Sequence, residues 1–132
     1  MKYLGIDYGK KKMGLAISEG QIASPFEVLN LTGLPDAIFK VDKVIKNENI
    51  NRVVVGVPES GEARTITKKF ISRLKNKLSS SLVEVIETEE TLSSFQARSL
   101  MKDLHLSQRN FNQKEDQYAA SIILQNFLDS LQ

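Results

Sequence analysis

One apolar run in the middle of the chain constrains the fold most, because it is typical of a strand covered on both faces. The run is Val53-Val54-Val55-Gly56-Val57, in which β-branched residues follow one another without polar alternation, and Pro58 ends it. Such strands belong to parallel sheets with helices on both sides, so the run predicts an α/β fold. The length of 132 residues suits one ordinary domain, and we expect a single domain over 1–132.

The first third of the chain predicts an antiparallel half of the sheet. Residues 2–7 form a strand that closes on Asp7, and a short turn leads into a second strand over 13–17, which favours a hairpin. A third strand is expected over 22–29. Pro25 lacks a backbone donor, so this strand is expected at an edge or an irregularity of the sheet.

Helices and strands alternate in the remainder. Pro35 and Asp36 open a first helix, and a second is expected over about 62–78, with a buried stripe of residues four apart: Ile66, Phe70, Leu74 and Leu78. A fifth strand is expected over 82–86. Two capping-box spacings predict helices that start near Ser93 and near Asn112, with a polar loop over 103–113.

This order of elements, β-β-β-α-β-α-β-α-α, predicts the architecture. We expect a five-stranded mixed sheet, with three antiparallel N-terminal strands and two parallel strands, flanked by helices.

Composition limits the chemistry. The chain has no cysteine and one histidine, so it cannot use thiolate ligands or a multi-histidine zinc site. Any metal must then be held by oxygen atoms, which suits Mg²⁺ or Mn²⁺. The N-terminus shows no apolar signal segment and no apolar stretch is long enough to span a bilayer, so we expect a cytoplasmic protein without a membrane partner.

Three carboxylates fall where predicted elements end. Asp7 ends the first strand, Glu90 follows the fifth strand, and Asp116 falls in the first turn of the predicted last helix. A parallel α/β topology can bring such ends to one edge, and two-metal phosphodiester hydrolysis needs such a cluster. Each also has an ordinary explanation: Asp7 as a turn residue bonded to the backbone of Gly9, and the other two as acids that stabilise helix N-termini.

Basic residues supply candidate nucleic-acid contacts, although the net charge of +2 by itself barely favours such a partner. A solvated surface is the ordinary alternative for each of them. The candidates lie beside Asp7, near the start of the long helix, and in or just after the polar loop: Lys10, Lys11, Lys12, Arg64, Arg109 and Lys114.

An ordered set of short motifs identifies a family. The set runs from Gly5-Ile6-Asp7-Tyr8-Gly9 through Gly14-Leu15-Ala16-Ile17-Ser18 and Ala23-Ser24-Pro25 to Val55-Gly56-Val57-Pro58, Glu89-Glu90-Thr91-Leu92-Ser93-Ser94 and Asp116-Gln117-Tyr118-Ala119-Ala120. In this order the chain resembles the YqgF family, the bacterial Holliday-junction-resolvase-like proteins that are also described as nucleases of pre-16S ribosomal RNA. Thr91 departs from the arginine that the family usually has there.

The resemblance implies a ribonuclease H-like fold and assigns the acidic triad to Asp7, Glu90 and Asp116, as metal ligands and catalytic residues. It also implies a metal-dependent endonuclease that processes the 5′ end of pre-16S rRNA. Three alternatives remain open: a resolvase of branched DNA, a non-catalytic nucleic-acid-binding module of the same fold, and an actin-like or sugar-kinase-like ATPase, whose phosphate loop also follows a Gly-Ile-Asp strand. The sequence leaves open whether the protein is a monomer or a homodimer.

Overall fold

The computed structural model describes the backbone of residues 1–89 and 108–131, and the side chains of 1–89 and 118–131. Its strands are β1 (Tyr3–Tyr8), β2 (Lys12–Ser18), β3 (Ser24–Asn30), β4 (Arg52–Val57) and β5 (Glu84–Glu89). Its helices are α1 (Leu34–Glu48), α2 (Gly61–Lys77) and α3 (Gln108–Ser130). In these ranges, no helix is long and apolar enough to cross a membrane.

Within the described ranges the strands form one mixed sheet in the order β3-β2-β1-β4-β5. β1 pairs with β2 in antiparallel register, with Asp7 opposite Gly14, and it pairs with β4 in parallel, with Ile6 opposite Val55. β5 is parallel to β4. The predicted fold class, three antiparallel N-terminal strands and two parallel strands flanked by helices, is confirmed. The carboxyl ends of β1, β4 and β5 consequently lie at one edge, which we call the carboxyl edge.

Strand β3 occupies an edge of the sheet, as Pro25 predicts. Pro25 lies opposite Ala16, and the β2–β3 register shifts between Leu15 and Ala16. Since proline cannot donate to the ladder, an edge strand with an irregularity beside it accommodates the ring without a lost hydrogen bond.

The two faces of the sheet carry separate apolar clusters. α1 and α2 cover one face, where Val53, Val55 and Val57 meet the buried helix residues Val41, Ile45, Phe70, Ile71 and Leu74. α3 covers the other face, where Val54 meets Ala120, Ile123, Leu124 and Leu128. Because neighbouring residues of β4 point to opposite faces, its unbroken apolar run fills both clusters at once.

Helix α3 lies very close to the sheet because glycines stand beneath it. A Cβ atom built on Gly5 would be 2.7 Å from Leu124 Cβ, and one built on Gly56 would be 2.5 Å from Ile123 Cδ1. Ordinary carbon contacts are about 3.5–4.0 Å. These glycines of β1 and β4 therefore set the height of α3 above the sheet.

Two elements, β5 and α3, differ most from the sequence prediction. β5 spans Glu84–Glu89 rather than 82–86, because its parallel register starts with Glu84 opposite Arg52 and leaves Leu82 fully exposed. α3 begins at Gln108 rather than near Asn112, so 108–113 are helical and not a loop. Its polar first turns have no apolar stripe to reveal them, although Gln, Arg and Lys are good helix formers. The helix predicted near Ser93 lies outside the described residues.

Candidate active site

Asp7 lies near the carboxyl end of β1 and is half-buried. Side chains alternate along a strand, so Asp7 shares a face with Gly5 and Tyr3. Tyr3 belongs to the apolar cluster under α3, and Gly5 is covered by the same helix. The Asp7 carboxylate is therefore on the side of the sheet that α3 covers.

Helix α3 runs antiparallel to β1, and its N-terminal part leads to the carboxyl edge. The Phe127 ring lies 6.1 Å from the Tyr3 ring at the start of β1. Further along the strand, the Ala120 carbonyl oxygen is 3.1 Å from the position that a Cβ of Gly5 would take. The backbone of position 116 comes one turn before Ala120, a rise of about 6 Å, and Asp7 comes two residues after Gly5, about 6.5 Å.

These distances place the backbone of position 116 toward the carboxyl edge, within about one helical turn of the level of Asp7 along β1. Asp116 is the ninth residue of α3 and lies in its third turn, which corrects the prediction of a first-turn position. The side chains of Asp116, Arg109 and Lys114 lie outside the described residues.

Glu90, the third predicted ligand, also lies outside the described residues. The strand before it ends at Glu89, which is opposite Val57 at the end of β4.

Part of the negative charge of Glu87-Thr88-Glu89, the acidic run that precedes Glu90, is neutralised by lysines. The Glu87 carboxylate binds the Lys68 ammonium group, and it lies 3.7 Å from that of Lys75. The hydrogen bond from Lys68 holds the pKa of Glu87 below its usual value. Glu87 is therefore an ion-pair partner of α2.

The lysines beside Asp7 differ in their partners. The Gly9 N–H donates to the Lys12 carbonyl oxygen at 2.9 Å and closes the β1–β2 turn. Lys10 binds Glu62 in the first turn of α2, and this hydrogen bond raises the pKa of Lys10 and lowers that of Glu62. Lys11 and Lys12 are exposed. The turn thus presents basic groups at the carboxyl edge, one of which is tied to α2.

Arg64 lies at the same edge, on the α2 side. Its Nη1 donates to the Pro58 carbonyl oxygen at 3.0 Å, which fixes the guanidinium group beside the end of β4. Arg64 and Lys68 line a groove of about 430 Å³ together with the ends of β4 and β5. Lys68 lies four residues after Arg64, which puts both on one helix face, and its ammonium group is bound to Glu87.

An aromatic pair lies on the opposite face of the sheet from the Asp7 side chain. The Tyr8 and Phe70 rings stack with centroids 4.3 Å apart and planes at 12°. Burial raises the pKa of the Tyr8 hydroxyl, which therefore stays neutral at physiological pH. The stack joins the end of β1 to α2, as expected for Phe70 as a core residue.

Among the described side chains, no group of three acidic, histidine or cysteine residues is close enough to share a metal. Of the three predicted ligands, Asp7 is the one whose side chain falls within those ranges.

Comparison with known proteins decides the family. The model of the RuvX family, described as "Holliday junction resolvase", matches residues 1–130. This chain belongs to the RuvX family. The resemblance found in the ordered motifs is thereby confirmed.

Curated relatives of this RuvX chain extend over nearly its whole length. A protein of Sulfurihydrogenibium sp. is 34% identical over 139 residues, which cover 98% of this chain and 91% of the relative. A protein of Chlamydia pneumoniae is 37% identical over 137 residues, covering 98% of this chain and 90% of the relative. Both are named "Putative pre-16S rRNA nuclease".

Solved structures confirm the fold of the RuvX chain. The fowlpox virus resolvase in complex with Holliday junction DNA has a TM-score of 0.69 at 14% identity, and 99% of each chain is covered. RuvC of T. thermophilus with a Holliday junction has a TM-score of 0.59 at 16% identity, covering 93% of this chain and 91% of RuvC. The predicted ribonuclease H-like fold is confirmed.

Proposed function

We propose that this protein is a metal-dependent endonuclease that hydrolyses phosphodiesters in the precursor of 16S rRNA, at its 5′ end. The class of enzyme, a nuclease and thus a hydrolase of ester bonds, follows from membership of the RuvX family and from full-length relatives named as nucleases. The relatives' names favour the RNA precursor as substrate, and a cytoplasmic location suits that role. We further propose one domain over 1–132.

The approach of α3 to β1 carries the proposal. It directs the N-terminal part of α3, which contains position 116, toward the edge where Asp7 lies, on the face of the sheet that Asp7 shares with Gly5. Two carboxylates from distant parts of the sequence can then act at one edge. The third predicted ligand, Glu90, is the residue after Glu89, with which β5 ends at this edge.

Asp7, Glu90 and Asp116 would hold Mg²⁺ or Mn²⁺ there. The donor set fits a hard cation, since all three are carboxylates and the chain offers no cysteine and one histidine. When bound, such cations polarise the phosphodiester and generate the attacking hydroxide from water. The chain's own contribution is to hold Asp7 rigidly, by its pairing with Gly14 of β2 and by the ladder to β4 that ends at the preceding residue, Ile6.

Basic groups around this edge would bind the phosphates that flank the cut bond. Lys11 and Lys12 are exposed on the β1–β2 turn, and Arg64 faces the groove at the end of β4. Such contacts position a nucleic-acid strand without reading its sequence. Lys10, Arg109 and Lys114 complete the proposed set.

The test compares neighbouring carboxylates. Asp7→Asn, Glu90→Gln and Asp116→Asn should each lower the Mg²⁺-dependent cleavage of pre-16S rRNA by at least about 100-fold, since even indirect metal contacts are worth 10–100-fold. Each should also weaken Mn²⁺ binding measured by calorimetry. Glu89→Gln is the matched control: it removes the same charge from β5 and should retain activity. Full activity of Asp7→Asn would refute the site.

A branched DNA substrate is the second candidate, because the description of the family model names Holliday junction resolution. Cleavage of a four-way DNA junction and of a precursor RNA under the same conditions separates the two. If the wild-type chain binds either substrate and cuts neither in Mg²⁺ or Mn²⁺, the non-catalytic binding module replaces the nuclease.

A further inference from the structure

A second surface of the molecule, away from the carboxylates, has features of a nucleic-acid site. Helices α1 and α2 border a groove of about 450 Å³, which we call the α1–α2 groove; it is lined by Pro35, Ile38, Phe39, Arg73, Asn76 and Lys77. This volume lies in the range of about 300–1,000 Å³ that ligand sites occupy, and suits one nucleotide.

The Phe39 ring is largely exposed, so its burial contributes little to the stability of the fold. The residue is 66% exposed, although it belongs to a helix whose residues Ala37, Val41 and Ile45 are buried in the core. Replacing it by a polar residue would cost the fold little. The ring therefore offers a free aromatic face at the rim of the α1–α2 groove.

The cations of the groove have no acidic partner in the described part of the chain. Arg73 and Lys77 are exposed and form no ion pair among the described residues, and neither does Lys69, one turn before Arg73. They follow one another at four-residue spacing, about 6 Å per step along α2. Three cations without a partner in these ranges thus form a row along one face of the helix.

The acids of α1 do not neutralise this row. Asp36 lies 3.0 Å from the Lys40 ammonium group, and Asp42 lies 2.9 Å from that of Lys46. The third acid of α1, Glu48, lies 3.5 Å from the Lys2 ammonium group, so each acid of the helix has a lysine partner of its own. The α1–α2 groove keeps a net positive charge beside an exposed aromatic ring.

From this combination we propose that the α1–α2 groove binds an unpaired segment of the RNA substrate, with a base stacked on Phe39 and phosphates on Arg73 and Lys77. A charged groove with an aromatic platform is how proteins hold single-stranded nucleic acid. A base inside a duplex is not free to stack on a side chain, so the segment must be unpaired. The inference rests on the proposed function in taking nucleic acid as the substrate.

Helix α2 connects the groove with the carboxyl edge. It begins beside the end of β4, where Arg64 lies. The exposed row of Lys69, Arg73 and Lys77 then follows the same helix to the groove. An RNA strand that crosses the carboxyl edge can therefore continue along α2 into the groove. The groove would hold the substrate beyond the cut bond and favour cleavage sites flanked by unpaired nucleotides.

A tryptophan reporter tests stacking directly. The chain contains no tryptophan, so Phe39→Trp introduces a single indole fluorophore. In EDTA, which prevents cleavage, addition of a twelve-nucleotide oligo(A) RNA should quench its emission, and a twelve-base-pair RNA duplex should quench it much less. Absence of quenching by the single strand at about 100 µM, the weak end of non-specific binding, would overturn the proposal.

Substitutions separate stacking from simple apolar contact. By fluorescence anisotropy of the labelled oligo(A), Phe39→Leu should weaken binding about fivefold or more, as expected for loss of one base–aromatic stack. Phe39→Trp should keep the affinity. A protein partner or a second copy of the chain would accept leucine in place of phenylalanine. RNA would be refuted as the occupant if Phe39→Leu bound oligo(A) with the same affinity as wild type. It would also be refuted if the indole emission of Phe39→Trp changed with protein concentration and not with added RNA.

Charge provides an independent readout. Replacing both Arg73 and Lys77 by Gln should reduce the slope of log K against log salt by about 1.4, because each phosphate contact on a single strand contributes about 0.7. Arg52→Gln is the control for lost charge, because Arg52 starts β4 at the opposite edge of the sheet. This substitution should leave the slope nearly unchanged. An unchanged slope in the double variant contradicts the proposal.

The outcome is separable from that of the proposed function, since these binding assays need no catalysis. Phe39-dependent binding without any cleavage would retain the groove and refute the nuclease. If the protein cleaves precursor RNA but the groove variants bind oligo(A) like wild type, the nuclease is retained and the groove proposal is refuted.

Discussion

The contact of α3 with Gly5 leads to the sharpest prediction, because it links the height of a helix to both stability and activity. In Gly5→Ala, the new Cβ would lie 2.7 Å from Leu124 Cβ and 3.1 Å from the Ala120 carbonyl oxygen. Both atoms are fixed to the backbone of α3, so no side-chain rotation relieves the contact. The helix must move away by about 1 Å to restore an ordinary carbon–carbon distance.

The energy follows from the kind of clash. Overpacking of a core costs about 1–3 kcal/mol, and we expect the upper end here because the backbone must move. Replacing glycine lowers the entropy of the unfolded chain and returns about 0.4–1 kcal/mol. The net loss of about 2 kcal/mol corresponds to a Tm lower by about 6–8 °C in a chain of this size. Under the proposed function, a shift of about 1 Å in the helix that carries Asp116 should slow cleavage by about 100-fold.

Other glycines serve as controls. In Gly56→Ala, the short contact is with Ile123 Cδ1 at 2.5 Å, the end of a flexible side chain, and adding Ile123→Val removes that atom and should recover part of the lost stability. No trimming of Leu124 that keeps its Cβ should rescue Gly5→Ala. Gly20→Ala meets nothing within 4 Å and should melt like wild type or slightly higher.

The assay is thermal unfolding followed by circular dichroism, paired with cleavage of the RNA precursor. A Gly5→Ala variant that melts within about 1 °C of wild type would show that α3 does not lie against β1 as described, since the contact predicts a several-fold larger shift. Positions 7 and 116 would then have no structural reason to lie near each other.

Two ion pairs yield further predictions. The pKa of Glu87 is lowered, chiefly by the hydrogen bond from Lys68, so the stabilisation that Glu87 gives is present above its unfolded-state pKa and lost as pH falls through its folded-state pKa. Glu87→Gln should therefore lower the free energy of unfolding, measured by urea denaturation, by about 0.5 kcal/mol at pH 7. A difference between the variant and wild type that persists at pH 2 would contradict this. Glu62→Gln releases Lys10 on the β1–β2 turn, so affinity for RNA should rise and the salt slope should steepen by up to about 0.7. An unchanged slope in anisotropy titrations would exclude Lys10 as a phosphate contact.

Local pattern was sufficient for much of the fold. The β-branched run over 53–57 predicts a buried parallel strand, and β4 lies between β1 and β5 with both faces covered. Pro25 predicts an edge strand, and β3 is one. These predictions hold because each depends on properties of a few adjacent residues: alternation, a missing donor, or a fixed backbone angle.

Element ends were less predictable where the chain is polar. The first turns of α3 and the last residues of β5 carry few apolar residues, so hydrophobic periodicity does not mark them. Pairing with β4 determines where β5 begins and ends, and that pairing is a long-range contact. For the same reason Asp116 was expected in a first turn and lies in the third.

The sequence by itself determined the fold class, the edge strand and the family, because residue types and their short-range order carry that information. Tertiary structure decided which groups share a surface. It tied Glu87 to Lys68 and Lys10 to Glu62, pressed α3 onto Gly5 and left Phe39 exposed beside Arg73. Such pairings join residues far apart along the chain, and only the packing of helices against the sheet sets the distances between them.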